Sequence, residues 1–149
     1  MKFTLIDDIL EQSDDRIVAI KQVSLAEEYL ADHFPRFPVL PGVLMLEAMV
    51  QAARVLLEAR AGRLVLGGVR ALKYGAMVRP GETLRVEVTV GTAREDGSFE
   101  CRGTGSVRRA GRNVGGNEEM HAGAGETAVS GRFTMRPISS GERDHAHEP

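Results

Sequence analysis

The stretch that most constrains the fold runs from Gly42 to Ala61, with no helix-breaking residue until Gly62 follows it. Such a run predicts an α-helix of about 18–20 residues, about 30 Å long. Between Val43 and Ala59 the polar residues are spaced by four, three and four positions, which places them in one narrow stripe. The stripe consists of Glu47, Gln51, Arg54 and Glu58. Since the rest of this surface is apolar, other parts of the chain must cover most of the helix.

The segments that can cover it lie mainly after the helix. Four stretches rich in valine, threonine and aromatic residues predict strands, and they span residues 63–78, 82–95, 98–109 and 126–137. Turn sequences separate them at Arg79–Glu82 and at Glu95–Gly97, and the second predicts a hairpin. An earlier segment, Arg16–Ser24, alternates partly between apolar and polar residues and predicts one more strand. The fold class is therefore α+β, with a curved antiparallel sheet wrapped around one long central helix.

The chain length of 149 residues fits one domain, which we place at residues 1–138. Within it, residues 110–126 are rich in glycine and lack periodicity, which predicts a mobile loop between two strands. The tail, residues 139–149, has the polar composition of a disordered segment.

Charge and cysteine content exclude several classes of protein. The net charge of −2 equals the charge of the tail, so the domain is formally neutral and lacks the positive field of a nucleic-acid-binding protein. Cys101 is the only cysteine, so no internal disulfide can form. No uncharged run reaches the roughly 20 residues of a membrane span, and the N-terminus has no signal-peptide pattern. We expect a cytoplasmic protein without a membrane span or a nucleic-acid partner.

Two residues near the start of the helix are candidates for chemistry. His33 lies in a loop in which Pro35, Pro38 and Pro41 predict an ordered, extended path, and Glu47 lies within two turns of the helix start. A carboxyl group that is partly desolvated there keeps a proton available for donation. Taken alone, each residue has a plainer explanation, because solvated glutamates and structural histidines are common. The stripe residues Arg54 and Glu58 are expected to face solvent.

Other chemistries lack their signatures. No histidine pair has metal-ligand spacing within a predicted helix or strand, and no phosphate-binding, dinucleotide-binding or nucleophile-elbow motif occurs. Cys101 has no neighbour that would make it a nucleophile. The sequence therefore predicts neither a metal nor a cofactor.

A longer pattern connects these residues to a known family. The order His33-Phe34-Pro35, Pro38, then Pro41 to Leu44, Glu47-Ala48 and Gln51 resembles the FabZ-type 3-hydroxyacyl-[acyl-carrier-protein] dehydratases. The resemblance continues through residues 71–84 and loosely to residues 130–137, so it covers roughly residues 10–137. It implies the hotdog fold, the same architecture that the helix and strand patterns predict.

The resemblance also implies an activity and roles for individual residues. The family removes water from (3R)-hydroxyacyl thioesters to give trans-2-enoyl thioesters, without a cofactor. His33 would take the α-proton and Glu47 would protonate the departing β-hydroxyl, the two coming from different subunits of a dimer. The backbone N–H of Gly42 would polarise the thioester carbonyl, and Gln51 would orient Glu47 by hydrogen bonding. An apolar tunnel for the acyl chain would be lined by Phe34, Val43, Leu46 and Met49.

The implied partners are an acyl carrier protein bearing the 3-hydroxyacyl chain and a second copy of this chain, with assembly into a trimer of dimers left open. Because the carrier protein is acidic, its docking needs basic residues. The candidates are Arg36, Arg70, Lys73, Arg79, Arg108 and Arg109.

Several positions depart from the family pattern. Arg36 and Phe37 stand where small and polar residues are usual, and Gly75, Ala76 and Met77 replace basic residues and a proline. The loop of residues 110–126 is longer than expected. None of these changes removes a chemical group named above, so they favour an altered substrate. Two alternatives stay open: a hotdog acyl-thioester hydrolase, and a non-catalytic subunit that binds acyl carrier protein and completes a partner's active site.

Overall fold

A computed structural model describes residues 3–109 and 125–138 of the chain. In these residues one α-helix packs against a six-stranded antiparallel sheet, which confirms the predicted architecture. The elements are β1 (Asp8–Gln12), β2 (Arg16–Gln22), a short 3-10 turn (Glu28–Leu30), α1 (Gly42–Ala61), β3 (Leu64–Tyr74), β4 (Thr83–Ala93), β5 (Phe99–Arg108) and β6 (Glu126–Pro137). Most of the predicted loop at residues 110–126 and the whole predicted tail at residues 139–149 lie outside the described residues.

The sheet has the strand order β1-β2-β4-β5-β6-β3, so β1 and β3 are its edges. The β4–β5 pair is the predicted hairpin, closed where the N–H of Gly97 donates to the carbonyl of Arg94 at 2.9 Å. The turn at Arg79–Glu82 is also confirmed, with the N–H of Glu82 donating to the carbonyl of Arg79 at 3.0 Å. α1 packs against β2 to β6, which places the helix inside the curve of the sheet.

The core lies between α1 and the concave face of the sheet. Strands β4 and β5 alternate between buried and less buried residues, as expected for a sheet that covers a helix with one face only. The helix contributes nine buried residues: Met45, Leu46, Ala48, Met49, Val50, Ala52, Ala53, Leu56 and Leu57. The apolar surface of α1 extends well beyond one stripe. Because the sheet buries most of that surface, the tertiary packing stabilises the helix.

Local chemistry fixes both ends of α1. Pro41 precedes the first helical residue in an extended conformation (φ −56°, ψ 138°), and its carbonyl accepts the N–H groups of Leu44 and Met45 at 3.0 and 3.2 Å. At the other end Gly62 adopts φ +65°, which glycine reaches without strain, and its N–H donates to the carbonyl of Glu58 at 3.0 Å. The helix therefore occupies the predicted range, Gly42–Ala61.

Two local predictions need correction. Strand β1 was not predicted, because the five residues Asp8–Gln12 do not alternate and none of them is buried. The strand forms through its pairing with β2. The proline-rich loop is not extended throughout, because Phe34 to Phe37 make a turn in which the N–H of Phe37 donates to the carbonyl of Phe34 at 2.8 Å. Phe34 adopts φ +50° there, which is uncommon for a residue with a side chain.

No helix among the described residues combines the length and the apolarity that crossing a bilayer requires.

Candidate functional site

Glu47 lies half-buried on α1, where the polar stripe of the helix meets the N-terminal segment of the chain. One turn further along, Nε2 of Gln51 donates a hydrogen bond to Oε1 of Glu47 at 3.1 Å. Both residues line an open cleft of about 480 Å³ together with Phe3, Thr4, Arg54, Val55 and Glu58. The expected contact between Gln51 and Glu47 is therefore present, and it fixes one oxygen of the carboxyl group as a hydrogen-bond acceptor.

The other two residues of the stripe, Arg54 and Glu58, also line this cleft but differ in burial. Glu58 is exposed, as expected. Arg54 is partly buried, and its Nε donates to the carbonyl of Leu64 at 3.3 Å, so its expected exposure to solvent is only partial.

The first turn of α1 offers two backbone donors. The N–H groups of Gly42 and Val43 have no hydrogen-bond partner among the described residues, whereas those of Leu44 and Met45 are bound to the carbonyl of Pro41. Unpaired amides at a helix N-terminus, aligned with the helix dipole, stabilise negative charge that develops on an acceptor oxygen. This end of the helix can therefore polarise a carbonyl group.

The ring of Tyr74, at the end of β3, contacts the helix at this point. A Cβ atom on Gly42 would lie 2.8 Å from Cε1 of Tyr74, so only glycine fits beneath the ring in its present place. Burial raises the pKa of Tyr74, although about half of its side chain is exposed. Sequence reasoning did not select Tyr74. The available signal was its place within the segment of residues 71–84, which follows the family pattern.

His33 lies in the proline-rich loop and is partly exposed. Its ring contacts the ring of Phe34 edge-on, with the centroids 4.6 Å apart. Further along the same loop, the ring of Phe37 packs against the guanidinium group of Arg79. The guanidinium carbon lies 4.1 Å from the centroid of the Phe37 ring. No hydrogen bond or ion pair within the described residues joins His33 to Glu47, and His33 does not line the cleft that contains Glu47.

The four predicted tunnel residues are divided between surface and core. Phe34 and Val43 are 62% and 65% exposed, whereas Leu46 and Met49 are buried. Met49 lies beneath β5, where a Cβ on Gly103 would overlap its sulfur atom. Within one chain Leu46 and Met49 belong to the core while Phe34 and Val43 face outward, so the tunnel stays a prediction for an assembly of more than one chain.

Comparison with known proteins places the chain among dehydratases. The model of the ApeI-like family, described as ApeI dehydratase, matches residues 10–112. A 3-hydroxyacyl-[acyl-carrier-protein] dehydratase FabZ from Lactococcus lactis subsp. cremoris is 38% identical over 117 residues, which cover 68% of this chain and 81% of the relative. The FabZ of Streptococcus equi subsp. zooepidemicus is 44% identical over 115 residues, which cover 67% of this chain and 82% of the relative.

Solved structures with the same fold include dehydratases and thioesterases. The dehydratase heterocomplex ApeI:P from Xenorhabdus doucetiae aligns with a TM-score of 0.68 at 19% identity, over 93% of this chain and 86% of that one. A hypothetical thioesterase with coenzyme A from Streptococcus pneumoniae aligns with a TM-score of 0.62 at 10% identity, over 87% and 83% of the two chains. At such identities the structural matches establish the hotdog fold, while the sequence relatives separate the two activities. The chain belongs to the ApeI-like and FabZ family of hotdog-fold dehydratases.

Proposed function

We propose that the protein removes water from (3R)-hydroxyacyl thioesters carried on acyl carrier protein and forms trans-2-enoyl thioesters. His33 takes the α-proton, and the electron pair of that C–H bond forms the α,β double bond. The C–O bond at the β-carbon breaks, and the leaving hydroxyl takes the proton of Glu47 and departs as water. During the step negative charge accumulates on the thioester oxygen, which accepts a hydrogen bond from the N–H of Gly42.

The observation that carries this proposal is the arrangement at the start of α1. Glu47 is a half-buried acid with one oxygen held by Gln51 at 3.1 Å, and the same helix begins one turn earlier with the unpaired N–H groups of Gly42 and Val43. An acid and a carbonyl-polarising amide on one rigid element keep a fixed separation, as elimination next to a thioester requires. The 37–45% identity to relatives named FabZ agrees with this chemistry.

A homodimer with a shared active site accounts for the separation of His33 from Glu47 within one chain. Strand β3 is an edge strand of 11 residues, and most of its side chains are exposed, including Val69 at 37%. A long open edge of this kind is a surface on which another strand can pair. Pairing of β3 with its counterpart in a second copy would also bring a second Tyr74, Gly42 and proline-rich loop towards the interface.

Docking of the acidic carrier protein would use cations that are not already paired within the chain. Arg70 forms an ion pair with Glu100, and Arg109 forms ion pairs with Glu82 and Glu126. Arg36, Lys73 and Arg79 are exposed, Arg108 is partly buried, and none of the four has an ion pair within residues 3–109 and 125–138, so they are the better candidates. Of these, Arg79 already lies over the ring of Phe37. We place the protein in the cytoplasm, a location supported by the free thiol of Cys101.

The test follows the reverse reaction. Purified protein is added to an enoyl thioester on acyl carrier protein, and loss of the conjugated-thioester absorbance is measured for the wild type, His33→Ala, Glu47→Gln and Glu58→Gln. Glu58 is the matched control, because it is an exposed glutamate of the same helix stripe and cleft, about three turns away from Glu47. We expect hydration by the wild type and the control, and rates at least about 10²-fold lower in the other two variants.

Two other results would contradict this function. Release of free thiol without formation of a hydroxyacyl product would identify a thioester hydrolase. Binding of acyl carrier protein without turnover would instead identify a non-catalytic subunit, and addition of candidate partner subunits would then follow.

A further inference from the structure

The side-chain amide of Gln51 uses its oxygen and both of its amide hydrogens in three hydrogen bonds. Its Oε1 accepts the backbone N–H of Leu5 at 2.8 Å, and its Nε2 donates to the carbonyl of Phe3 at 3.0 Å. The remaining hydrogen of Nε2 is the one donated to Oε1 of Glu47 at 3.1 Å. The amide therefore joins the backbone of the N-terminal segment to the carboxyl group of Glu47 through hydrogen bonds.

These bonds determine which way the amide faces. If the amide rotated by half a turn, its NH2 group would meet the N–H of Leu5 and its oxygen would meet the carbonyl of Phe3, so two donors and two acceptors would oppose each other. Leaving such partly buried polar groups unpaired costs about 1–3 kcal/mol each. Only the observed orientation satisfies both backbone groups, and in that orientation Gln51 must donate to Glu47.

The N-terminal segment is anchored independently of Gln51. The side chain of Leu5 is 1% exposed and belongs to the hydrophobic core, and the ring of Phe3 packs edge-on against Tyr29 with centroids 5.5 Å apart. Further along, the N–H of Asp7 donates to the carbonyl of Ile20 at 2.8 Å. The position of the segment therefore does not depend on Gln51, and the segment can fix the orientation of the Gln51 amide.

Asp7 adds an ionic anchor to this segment. Its carboxylate accepts the N–H of Gln22 at 2.7 Å and lies 3.3 Å from Nζ of Lys21. Lys21 is only 5% exposed and also pairs with Glu27 at 2.9 Å. These ion pairs raise the pKa of Lys21 even though desolvation, the largest single influence, opposes them. Lys21 therefore stays charged over the whole range in which an enzyme of this kind would be assayed.

We propose that the backbone of Phe3–Leu5 is a positioning element for Glu47 that acts through Gln51. By fixing the amide it makes Oε1 of Glu47 a permanent acceptor, which leaves Oε2 as the oxygen that carries the transferable proton. The inference rests on the proposed role of Glu47 as the acid. It assigns a function in the active site to a segment that lies outside the family's sequence motifs.

The test weakens the two backbone contacts without changing any side chain. The α-hydroxy analogue of leucine at position 5 replaces the N–H of Leu5 by an ester oxygen, and the analogue of threonine at position 4 makes the carbonyl of Phe3 a weaker ester acceptor. A third protein carries both esters. The matched control is the ester at Ile6, whose N–H does not bind Gln51. Urea unfolding of all four proteins checks that the fold is retained.

The primary readout is the NMR signal of the Glu47 carboxyl carbon at a fixed pH, in protein labelled with ¹³C at the glutamate side-chain carboxyl carbon and assigned with Glu47→Gln. Because the chemical shift of this carbon depends on the hydrogen bond that Glu47 accepts from Gln51, we expect the signal to move in the two single esters and further in the double ester. We also expect kcat to fall about 2–10-fold with KM within about twofold.

A Glu47 carboxyl signal that is the same in the Leu5, Thr4 and Ile6 esters would overturn the inference. The NMR measurement needs no turnover, so it decides this question even for a protein without dehydratase activity. A failure of the proposed function would appear separately, as an inactive wild type.

Discussion

The ring of Tyr74 covers Gly42 so closely that a Cβ on the glycine would lie 2.8 Å from Cε1 and 2.9 Å from Cζ of the ring. Packing alone therefore explains a glycine at the start of α1, because any side chain at position 42 would collide with the ring at the end of β3. The same contact holds the end of an edge strand against the helix terminus that carries the unpaired amides. A substitution at either residue is therefore expected to affect both the end of β3 and the start of α1.

This contact predicts an energetic coupling between the two residues. We expect Gly42→Ala to be less favourable by about 1 kcal/mol in the wild-type background than in the Tyr74→Ala background, because only the wild type has the ring to displace. Tyr74→Phe is the control, since it keeps the ring atoms that clash. Urea unfolding of the four variants of the cycle measures the coupling. Equal effects of Gly42→Ala in both backgrounds would show that the ring moves aside freely.

A shared active site predicts complementation between inactive variants. His33→Ala and Glu47→Gln, unfolded together and refolded as a mixture, should regain activity, because half of the dimers are mixed and each mixed dimer contains one intact site. We expect about a quarter of the wild-type activity per chain. Each variant refolded alone provides the baseline. A mixture no more active than the two separate variants would place His33 and Glu47 of one site in the same chain.

The open edge of β3 predicts the surface through which the proposed dimer would form. Val69→Lys places a charge on this edge, and we expect it to convert the dimer to monomers in sedimentation experiments. Ile9→Lys is the matched control on the other edge of the sheet, because Ile9 is 40% exposed and Val69 is 37% exposed. Dissociation caused by the Ile9 variant and not by the Val69 variant would assign the interface to β1.

The ion pair between β2 and β4 predicts a contribution to acid stability. Nε of Arg16 donates to Oε1 of Glu87 at 2.8 Å, and this hydrogen bond lowers the pKa of Glu87 from its ordinary value of 4.5. A lowered carboxyl pKa stabilises the folded state above the unfolded value, and the contribution is lost as the pH falls from 4.5. Because the side chains are partly exposed, we expect Glu87→Gln to lower the free energy of unfolding by about 0.5 kcal/mol at neutral pH.

Denaturant unfolding at several pH values measures this contribution. The difference between the wild type and Glu87→Gln should shrink steadily below pH 4.5. Glu95→Gln is the control, because Glu95 is exposed and forms no ion pair within the described residues. A difference that does not depend on pH would mean that Glu87 contributes through packing alone.

Burial of Cys101 predicts a thiol that is protected in the folded protein. Cys101 is fully buried in β5, and desolvation raises its pKa from 9.0 to about 12. We expect iodoacetamide to react at pH 8 no faster than the protein unfolds. The stability should also fall as the pH rises from 9.0 towards 12, because the unfolded thiol ionises first. The double variant Cys101→Ala/Thr104→Cys, with an exposed thiol on the same strand, is the control. Rapid labelling of the native wild type would contradict the buried environment.

The sequence by itself determined the helix and its surroundings. The apolar run without breakers between Pro41 and Gly62 predicts a buried helix, and the segments after it that are rich in valine, threonine and aromatic residues predict strands that cover it. The spacing of Glu47 and Gln51 by four positions sufficed to predict their hydrogen bond, because residues one turn apart on a helix face each other. These are local relationships, and local relationships are readable along the chain.

Only the tertiary structure decided what meets this helix from a distance in sequence. Strand β1 has no pattern of its own and exists because β2 pairs with it. Tyr74 reaches Gly42 through the path of β3, and the carbonyl of Phe3 reaches Gln51 through the anchoring of Leu5 in the core. Met49 packs beneath β5, where only a glycine at position 103 leaves room for its sulfur atom. Contacts of this kind depend on how the strands curve and pair around the helix. The periodicity of a single segment cannot predict that geometry, because it reflects only neighbours along the chain.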